Sequence, residues 1–340
     1  MKKKWLMGLI ALIILVVSLY SALADECGST PTNGCFISQN TTFNTGTHYI
    51  TMYGITINAD NVVLDCDGAI LDGNQSITDL DESYNMLNVQ GDNVTIKNCV
   101  IQNAYGLKAD PQTGVLDNLV LDGNTFINST VDYLESNYVK DVVIKNNNFN
   151  MESHFEGGGG DDWSIIITSQ GENTLYNNTF NANQIGIGGC SYGLCGDGNL
   201  YKYHIYNNTF THTHGGYSRD VLTFMYMNNS NVTGNTITVV RAILGAEDYS
   251  GNDMRVHNTY FYNNIFTWNG SESINPTGIT SANTETPWWS FPDDYGNDGT
   301  NNVTYCVDGL GNDFQTGAYY DGNDNLLGTC PCGRGGNYYS

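Results

Sequence analysis

One phrase recurs along the chain from residue 62 to residue 267: an apolar pair, two or three asparagines or glycines, then a phenylalanine or isoleucine. It reads Val62-Val63-Leu64 to Ile70, Val94-Thr95-Ile96 to Ile101, Leu119-Val120-Leu121 to Phe126, and Val142-Val143-Ile144 to Phe149. Less regular copies end at Phe180, Phe210, Ile237 and Phe266, so the phrase returns every 23 to 31 residues. A period of that size belongs to a solenoid rather than to a closed globular core. Each copy is too short to bury its own apolar face, so the copies must stack on one another.

Short alternating apolar segments without helical periodicity predict strands, and a coil of this length holds about three strands joined by turns. Two residues before the anchor stand Asn124, Asn147, Asn178, Asn208, Asn235 and Asn264. Asparagine tolerates the left-handed backbone of a sharp turn and bonds neighbouring backbone groups through its side chain. Stacking would gather these six into one ladder along the axis. A β-sandwich with asparagine-rich hairpins would not hold one turn residue at one offset through six copies.

The asparagine turn between a second and a third strand resembles the right-handed parallel β-helix family over about residues 40 to 285. The stretch from Ala59 to Gly68 is similar to the first coil of many secreted members. The resemblance implies an all-β fold, a right-handed parallel β-helix of about 8 to 10 coils. Within the β-helix unit of residues 25–285, residues 25 to about 60 would cap the open first coil, because an exposed solenoid end is a sticky edge. Residues 286–340 break the repeat and are rich in Gly, Asp, Asn, Tyr and Cys, which predicts a loop-rich C-terminal cap.

Residues 1–24 read as an export signal. Lys2, Lys3 and Lys4 precede an apolar run from Trp5 to about Tyr20, and Ala22-Leu23-Ala24 offers a small-residue cleavage site. Left uncleaved, the run would anchor the chain in a membrane; in either case the body lies outside the cytoplasm, extracellular or at the cell surface. Cleavage removes three of 12 Lys and Arg, leaving nine against 35 Asp and Glu. So acidic a surface repels nucleic acid and anionic lipid, and argues against either as a direct partner. It suits calcium or a saline medium, and equally serves to keep an asparagine-rich chain soluble.

All nine cysteines follow the signal, where an exported chain can oxidise them. Cys27 with Cys35, and Cys190 with Cys195, are spaced to close small loops; Cys66 and Cys99 fall in successive coils, and Cys306, Cys330 and Cys332 cluster near the end. An odd number leaves at least one thiol free or bound to another molecule. Asn-x-Ser/Thr sequons occur at ten positions, among them Asn177 and Asn207, which fall in the turn and are expected to be structural.

Function in a solenoid sits where a coil exceeds its minimum length, and the long deviations follow Phe149, Phe210 and Ile237. The first carries His154, four consecutive glycines, Asp161, Asp162 and Trp163; the second His212, His214, Tyr217, Arg219 and Asp220; the third Arg241. In pectate-lyase-like enzymes, the loops leaving the third strand and the first strand of the next coil form the sugar groove, so the resemblance assigns a site here. Gly159-Gly160-Asp161-Asp162 and His212-Thr213-His214-Gly215 resemble the paired-aspartate and histidine motifs of polygalacturonase-type hydrolases. The Asn-Thr-Asp and Arg-x-Lys motifs of those enzymes are missing, and the absence of the basic residues argues against a uronic-acid substrate, whose carboxylates nothing would neutralise.

With one strand between them, Asp162 and Asp220 would begin about 10 Å apart, near the 6.5 to 9.5 Å that an inverting glycosidase requires. Asp162 or Asp161 would then be the general acid, Asp220 the base, and His212 or His214 a substrate contact or proton partner. His154, Trp163, Tyr217, Arg219 and Arg241 are the expected substrate-binding residues. The plainer reading has Asp220 and Arg241 paired across one rung, the glycines as a simple loop and the histidines solvated. His154 with His212 and His214 offers a metal set, though Met and His are too scattered for the copper site of periplasmic β-helix proteins, which the repeat is also similar to. Asp313, Asp321 and Asp324 lie in segments that resemble fragments of calcium-binding nonapeptide repeats, which makes calcium the one cofactor to consider. The leading expectation is a secreted or surface β-helix that binds a polysaccharide or cell-surface glycan through its loop-bearing face. The competing one is a polysaccharide hydrolase, or less readily a lyase, at the same groove.

Overall fold

The computed structural model describes residues 25–51, 53–74, 85–111, 114–150, 165–182, 184–188, 201–211, 221–224, 227, 229–239, 242–244, 260–262, 264–268, 318–320, 326–329 and 338–339. Among them every regular element is a strand, and no helix is long and apolar enough to cross a membrane. The strands stack in parallel as a β-solenoid with three sheets, here numbered in the order in which the chain visits them. Sheet 1 begins at Phe36–Ile37 and climbs through Ile55–Ile57, Asn85–Val89, 105–109 and 131, then 165–167, Gln184–Ile187, Val221–Phe224 and Ala242–Leu244. Sheet 2 runs from Thr41–Thr42 through Val63–Asp65, Thr95–Lys97, Val120–Asp122 and Val143–Lys145 to 174–176, 204–206, Asn231–Thr233 and Tyr260–Tyr262. Sheet 3 runs from Thr47–Tyr49 through Ile70–Asp72, 100–102, 125–127, Asn148–Asn150, Thr179–Asn181 and Thr209–Thr211 to Thr236–Val239 and Ile265–Trp268.

The period of two along each strand puts one residue in and the next out. Sheet 2 therefore buries Leu64, Ile96, Leu121, Ile144, Leu175, Ile205 and Val232 in one column, and sheet 3 buries Leu71, Ile101, Phe126, Phe149, Phe180, Phe210 and Ile237 in another. The phenylalanines stack face to face at 4.9 Å (Phe126 on Phe149), 4.8 Å (Phe149 on Phe180) and 4.9 Å (Phe180 on Phe210). Each such contact adds about 0.5 to 1.5 kcal/mol to the burial of the rings. The anchor of the first copy is Leu71 rather than Ile70. Leu71 pairs in register with Ile101 and is fully buried, while Ile70 pairs with Val100 and faces outward.

The turn between sheets 2 and 3 divides its work between two adjacent residues. The first takes the left-handed conformation and faces solvent: Asn98, Asn146, Asn177 and Asn207 at φ between 53° and 58°, with Gly123 and Gly234 in the same role. The second is buried and builds the ladder. The side-chain oxygen of Asn147 accepts from the backbone N–H of Asn124 at 2.8 Å and from its side-chain amide at 3.1 Å. The same pair of bonds joins Asn147 to Asn178, Asn178 to Asn208 and Asn208 to Asn235. Asn235 donates likewise to Asn264. Each amide also donates back to a carbonyl of the coil below, as Asn178 does to Ile144 at 2.8 Å. Sequons Asn177 and Asn207 thus lie in the turn but in its exposed position, beside the ladder rather than in it.

Cys99 occupies the ladder column one coil before Asn124, and its backbone N–H donates to the Asn124 side chain at 3.0 Å. Its own side chain is bonded to Cys66, and a second disulfide joins Cys27 to Cys35. Both bonds fit the spacing expected from sequence, and both are compatible with an oxidising compartment. Near the C-terminus Ala318–Tyr320 pairs antiparallel with Leu326–Thr329, and Tyr338–Tyr339 adds to sheet 3 beside Ile265–Trp268.

Candidate functional site

Chain length varies at the corner between sheet 3 and the next strand of sheet 1, and again between sheets 1 and 2, where residues 188–200 and 245–259 separate consecutive strands. Asn103 and Asn128, both left-handed, open short connections from 100–102 and from 125–127. Residues 182–183 and 240–241 are equally brief links, so the long deviation expected after Ile237 is not at this corner; the extra length, residues 245–259, follows the sheet 1 strand Ala242–Leu244. Residues 75–84, 151–164 and 212–220 instead lengthen the link from sheet 3 to sheet 1. Every sequence-predicted catalytic and sugar-binding residue falls on this one type of connection. His154, Asp161, Asp162 and Trp163 lie in 151–164; His212, His214, Tyr217, Arg219 and Asp220 in 212–220; Arg241 follows the sheet 3 strand Thr236–Val239. These side chains, like Asp313, Asp321 and Asp324, lie outside the described residues.

The described strands fix where the connections begin and end. Asn148–Asn150, Thr179–Asn181 and Thr209–Thr211 are successive rungs of sheet 3. On the return side 165–167 pairs with Gln184–Ile187, which pairs with Val221–Phe224. Asp162 and Asp220 therefore precede strands two rungs apart, about 10 Å along the axis, as the repeat predicts.

Polar side chains line the described part of this corner. Asp72 is nearly buried, and its carboxylate accepts from the Gln102 amide at 2.8 Å, from Asn103 at 3.2 Å and from the Asn74 backbone at 2.8 Å. Further along, Asn181 donates to the Asn150 side chain at 2.9 Å. These bonds hold the turn together and leave the Asp72 carboxylate occupied as an acceptor.

The face of sheet 2 has a different chemistry, one of charge pairs between coils. Lys97 pairs with Asp65 at 2.9 Å, Lys145 with Asp122 at 3.2 Å, and Glu172 with both Lys202 and His204 at 2.9 and 3.1 Å. Hydrogen bonds from Asn98, then Lys97, hold the Asp65 carboxyl below its ordinary range. The Glu172 carboxyl is lowered by Lys202 and then His204, and Lys145 is raised by its bond to Asp122. Tyr176 and Tyr206 stack above this row at 5.1 Å.

Sequence reasoning missed a polar cluster inside the coil. The inward column Val62, Val94, Leu119 and Val142 is continued by Asn173, Tyr203 and Ser230, all buried. The Asn173 side chain accepts from the Val142 backbone at 2.9 Å and from the Ser169 hydroxyl at 2.7 Å. Tyr203 donates its hydroxyl to the Ser169 carbonyl at 2.8 Å, and its backbone N–H bonds the Ser230 hydroxyl at 2.8 Å. Burial pushes the Tyr203 phenol far above its usual range. The only signal in sequence is the loss of an apolar residue from one column, and the group is closed off from solvent. Among the described residues no group of three or more His, Cys, Asp or Glu side chains is placed to hold a metal ion. No protein-family model matches the chain, and neither a curated protein nor a solved structure matches it.

Proposed function

We propose that this is a secreted or cell-surface parallel β-helix protein that binds glycans at the corner between sheets 3 and 1. The supporting observation is topological: the connections carrying Trp163, Tyr217, Arg219 and Arg241 all leave sheet 3 on nearby rungs and return on sheet 1. A rigid stacked scaffold with variable connections is the usual division between framework and binding surface. Aromatic and arginine side chains suit sugar rings and hydroxyls. Retention of the purified full chain on a panel of immobilised polysaccharides tests this. Trp163→Ala or Tyr217→Ala should weaken retention at least tenfold with the melting temperature unchanged; loss of neither would remove the reading.

A second reading, an inverting polysaccharide hydrolase, draws on the two-rung separation of the strands that follow Asp162 and Asp220. In that version Asp162 donates a proton to the leaving oxygen while Asp220 activates a water on the opposite side of the sugar. Reducing-end and unsaturated-product assays on the same panel separate hydrolase, lyase and binding protein. Asp162→Asn and Asp220→Asn would abolish turnover and spare binding if the hydrolase reading holds.

A further inference from the structure

Sheet 3 carries an array that the proposed corner site does not use. Its outward positions over four successive rungs are those of Asn148-Phe149-Asn150, Thr179-Phe180-Asn181, Thr209-Phe210-Thr211 and Thr236-Ile237-Thr238. The middle residue of each triplet is buried, and the two flanking residues face outward, exposed or half-buried. Eight short amide and hydroxyl side chains thus form two parallel columns, with rungs about 4.8 Å apart and a total length of about 14 Å. No Asp, Glu, Lys or Arg stands among them, although the chain holds 35 acidic and 12 basic residues. On sheet 2, over neighbouring coils, the outward positions carry Lys145, Glu172, Lys202 and His204.

We infer that this uncharged face binds an extended neutral polysaccharide laid along the solenoid axis. The inference rests on the glycan-binding reading and narrows it to a substrate class. Hydroxyl and amide groups both donate and accept, so they match a polymer whose surface is hydroxyl groups with no fixed charge. The surrounding negative field repels polyuronates and sulfated glycans before they reach the face, whereas a neutral chain meets no such barrier. The repeat adds the geometric match: in an extended glycan each ring advances by close to one rung, so one ring can meet one Thr or Asn pair after another. The stacked Phe149, Phe180 and Phe210 rings beneath the array fix the strands from inside, and a surface already in place lowers the ordering cost of binding.

Affinity electrophoresis of the full chain in gels containing hydroxyethylcellulose, galactomannan or polygalacturonate provides the test. Wild type should be retarded by a neutral polymer and not by polygalacturonate. The double variant Thr209→Val with Thr236→Val keeps the β-branched shape and removes two hydroxyls; Thr209→Lys adds a projecting charge. Both should bind the neutral polymer at least tenfold more weakly, while Thr174→Val on sheet 2 should behave as wild type, with melting temperature confirming that all three are folded. Undiminished binding in both sheet 3 variants, or a preference for polygalacturonate, would overturn this inference and leave the corner site standing. Retardation by none of the polymers would overturn both. Concentration-dependent self-association that the sheet 3 variants abolish, without glycan binding, would make the face an interface between copies of this chain and overturn the inference as well.

Discussion

Two corners of the same coil use the same residue in the same backbone conformation to opposite ends. Between sheets 2 and 3, left-handed Asn98, Asn146, Asn177 and Asn207 turn the chain, and the next residue is buried in an unbroken column of hydrogen bonds. Between sheets 3 and 1, left-handed Asn74, Asn103 and Asn128 also turn the chain, but no asparagine column follows them and the length of the link varies from coil to coil. Adding a residue to the first corner within the ladder would displace a buried asparagine and interrupt the hydrogen bonds that join it to the coils on either side. At the second corner an added segment starts after one strand and ends before the next, so its cost is mainly loop closure, which grows slowly with length. The first corner therefore holds the fold, and the second is free to vary in sequence and to carry function.

The largest effect separating the two corners should come from the start of the ladder. Cys66 and Cys99 close a loop with sequence separation 33 at the ladder corner. Chain-entropy arguments put the cost of losing a disulfide of that size at about 3 to 4 kcal/mol. Cys66→Ala with Cys99→Ala should lower the denaturation midpoint accordingly; a change under about 1 kcal/mol would show that the stacked strands alone hold these coils.

Next comes the ladder itself. Asn178→Ala leaves the buried Asn147 backbone N–H and the Ile144 carbonyl short of a partner, and should cost about 1 to 3 kcal/mol. Asn177→Gly, one residue earlier, keeps the left-handed turn at φ 53° and removes an exposed side chain together with its long 3.4 Å bond to the Asn146 side chain. It should change stability by less than about 0.5 kcal/mol. Equal losses from both would mean that the turn conformation, not the buried column, stabilises this corner.

At the variable corner, replacing 151–164 by a link as short as 182–183 should move the melting temperature little, since loop-closure entropy changes by about 1 to 2 kcal/mol and in the stabilising direction. Glycan retention should fall sharply in the same variant. A folded protein with full retention would move the binding site away from this corner.

How much of this was legible in sequence follows the same division. The ladder asparagines and the phenylalanine column are readable because each must recur at every coil, and a recurring constraint writes a period into the chain. Leu71 was misplaced by one residue because Asp67-Gly68 enlarges the turn after Cys66, where φ is 47° and 80°. The change of one interior column from Val142 to Asn173, Tyr203 and Ser230 was not readable, because each polar residue is satisfied by partners such as Ser169 that are close only in space. The candidate site sits on segments that interrupt the period. There Asp162, His212 and Asp220 have chemistry but no repeat to position them.

The smallest effect is electrostatic and lies on the outer edge of the ladder corner. Asp65 accepts from the turn residue Asn98 at 2.9 Å and pairs with Lys97 at 2.9 Å, and these contacts hold its carboxyl below the ordinary value. A carboxyl depressed in the folded state contributes stability that is complete above its unfolded pKa of about 3.9 and is lost as pH falls through the lower folded value. Because the group is partly exposed, solvent and salt reduce the contribution to about 1 kcal/mol or less. The unfolding free energies of wild type and Asp65→Asn should therefore differ by a small, constant amount from pH 7 to about pH 5 and converge in the acid range below about pH 4. The gap should shrink in high salt to the part due to hydrogen bonding alone. At neutral pH the stability difference between Asp72→Asn and wild type, whose Asp72 carboxylate accepts from Gln102, Asn103 and Asn74 rather than pairing with a lysine, should show little dependence on salt. A strong salt dependence at Asp72 would mean that the variable corner, too, is held by charge, and that the contrast between the two corners lies only in their length.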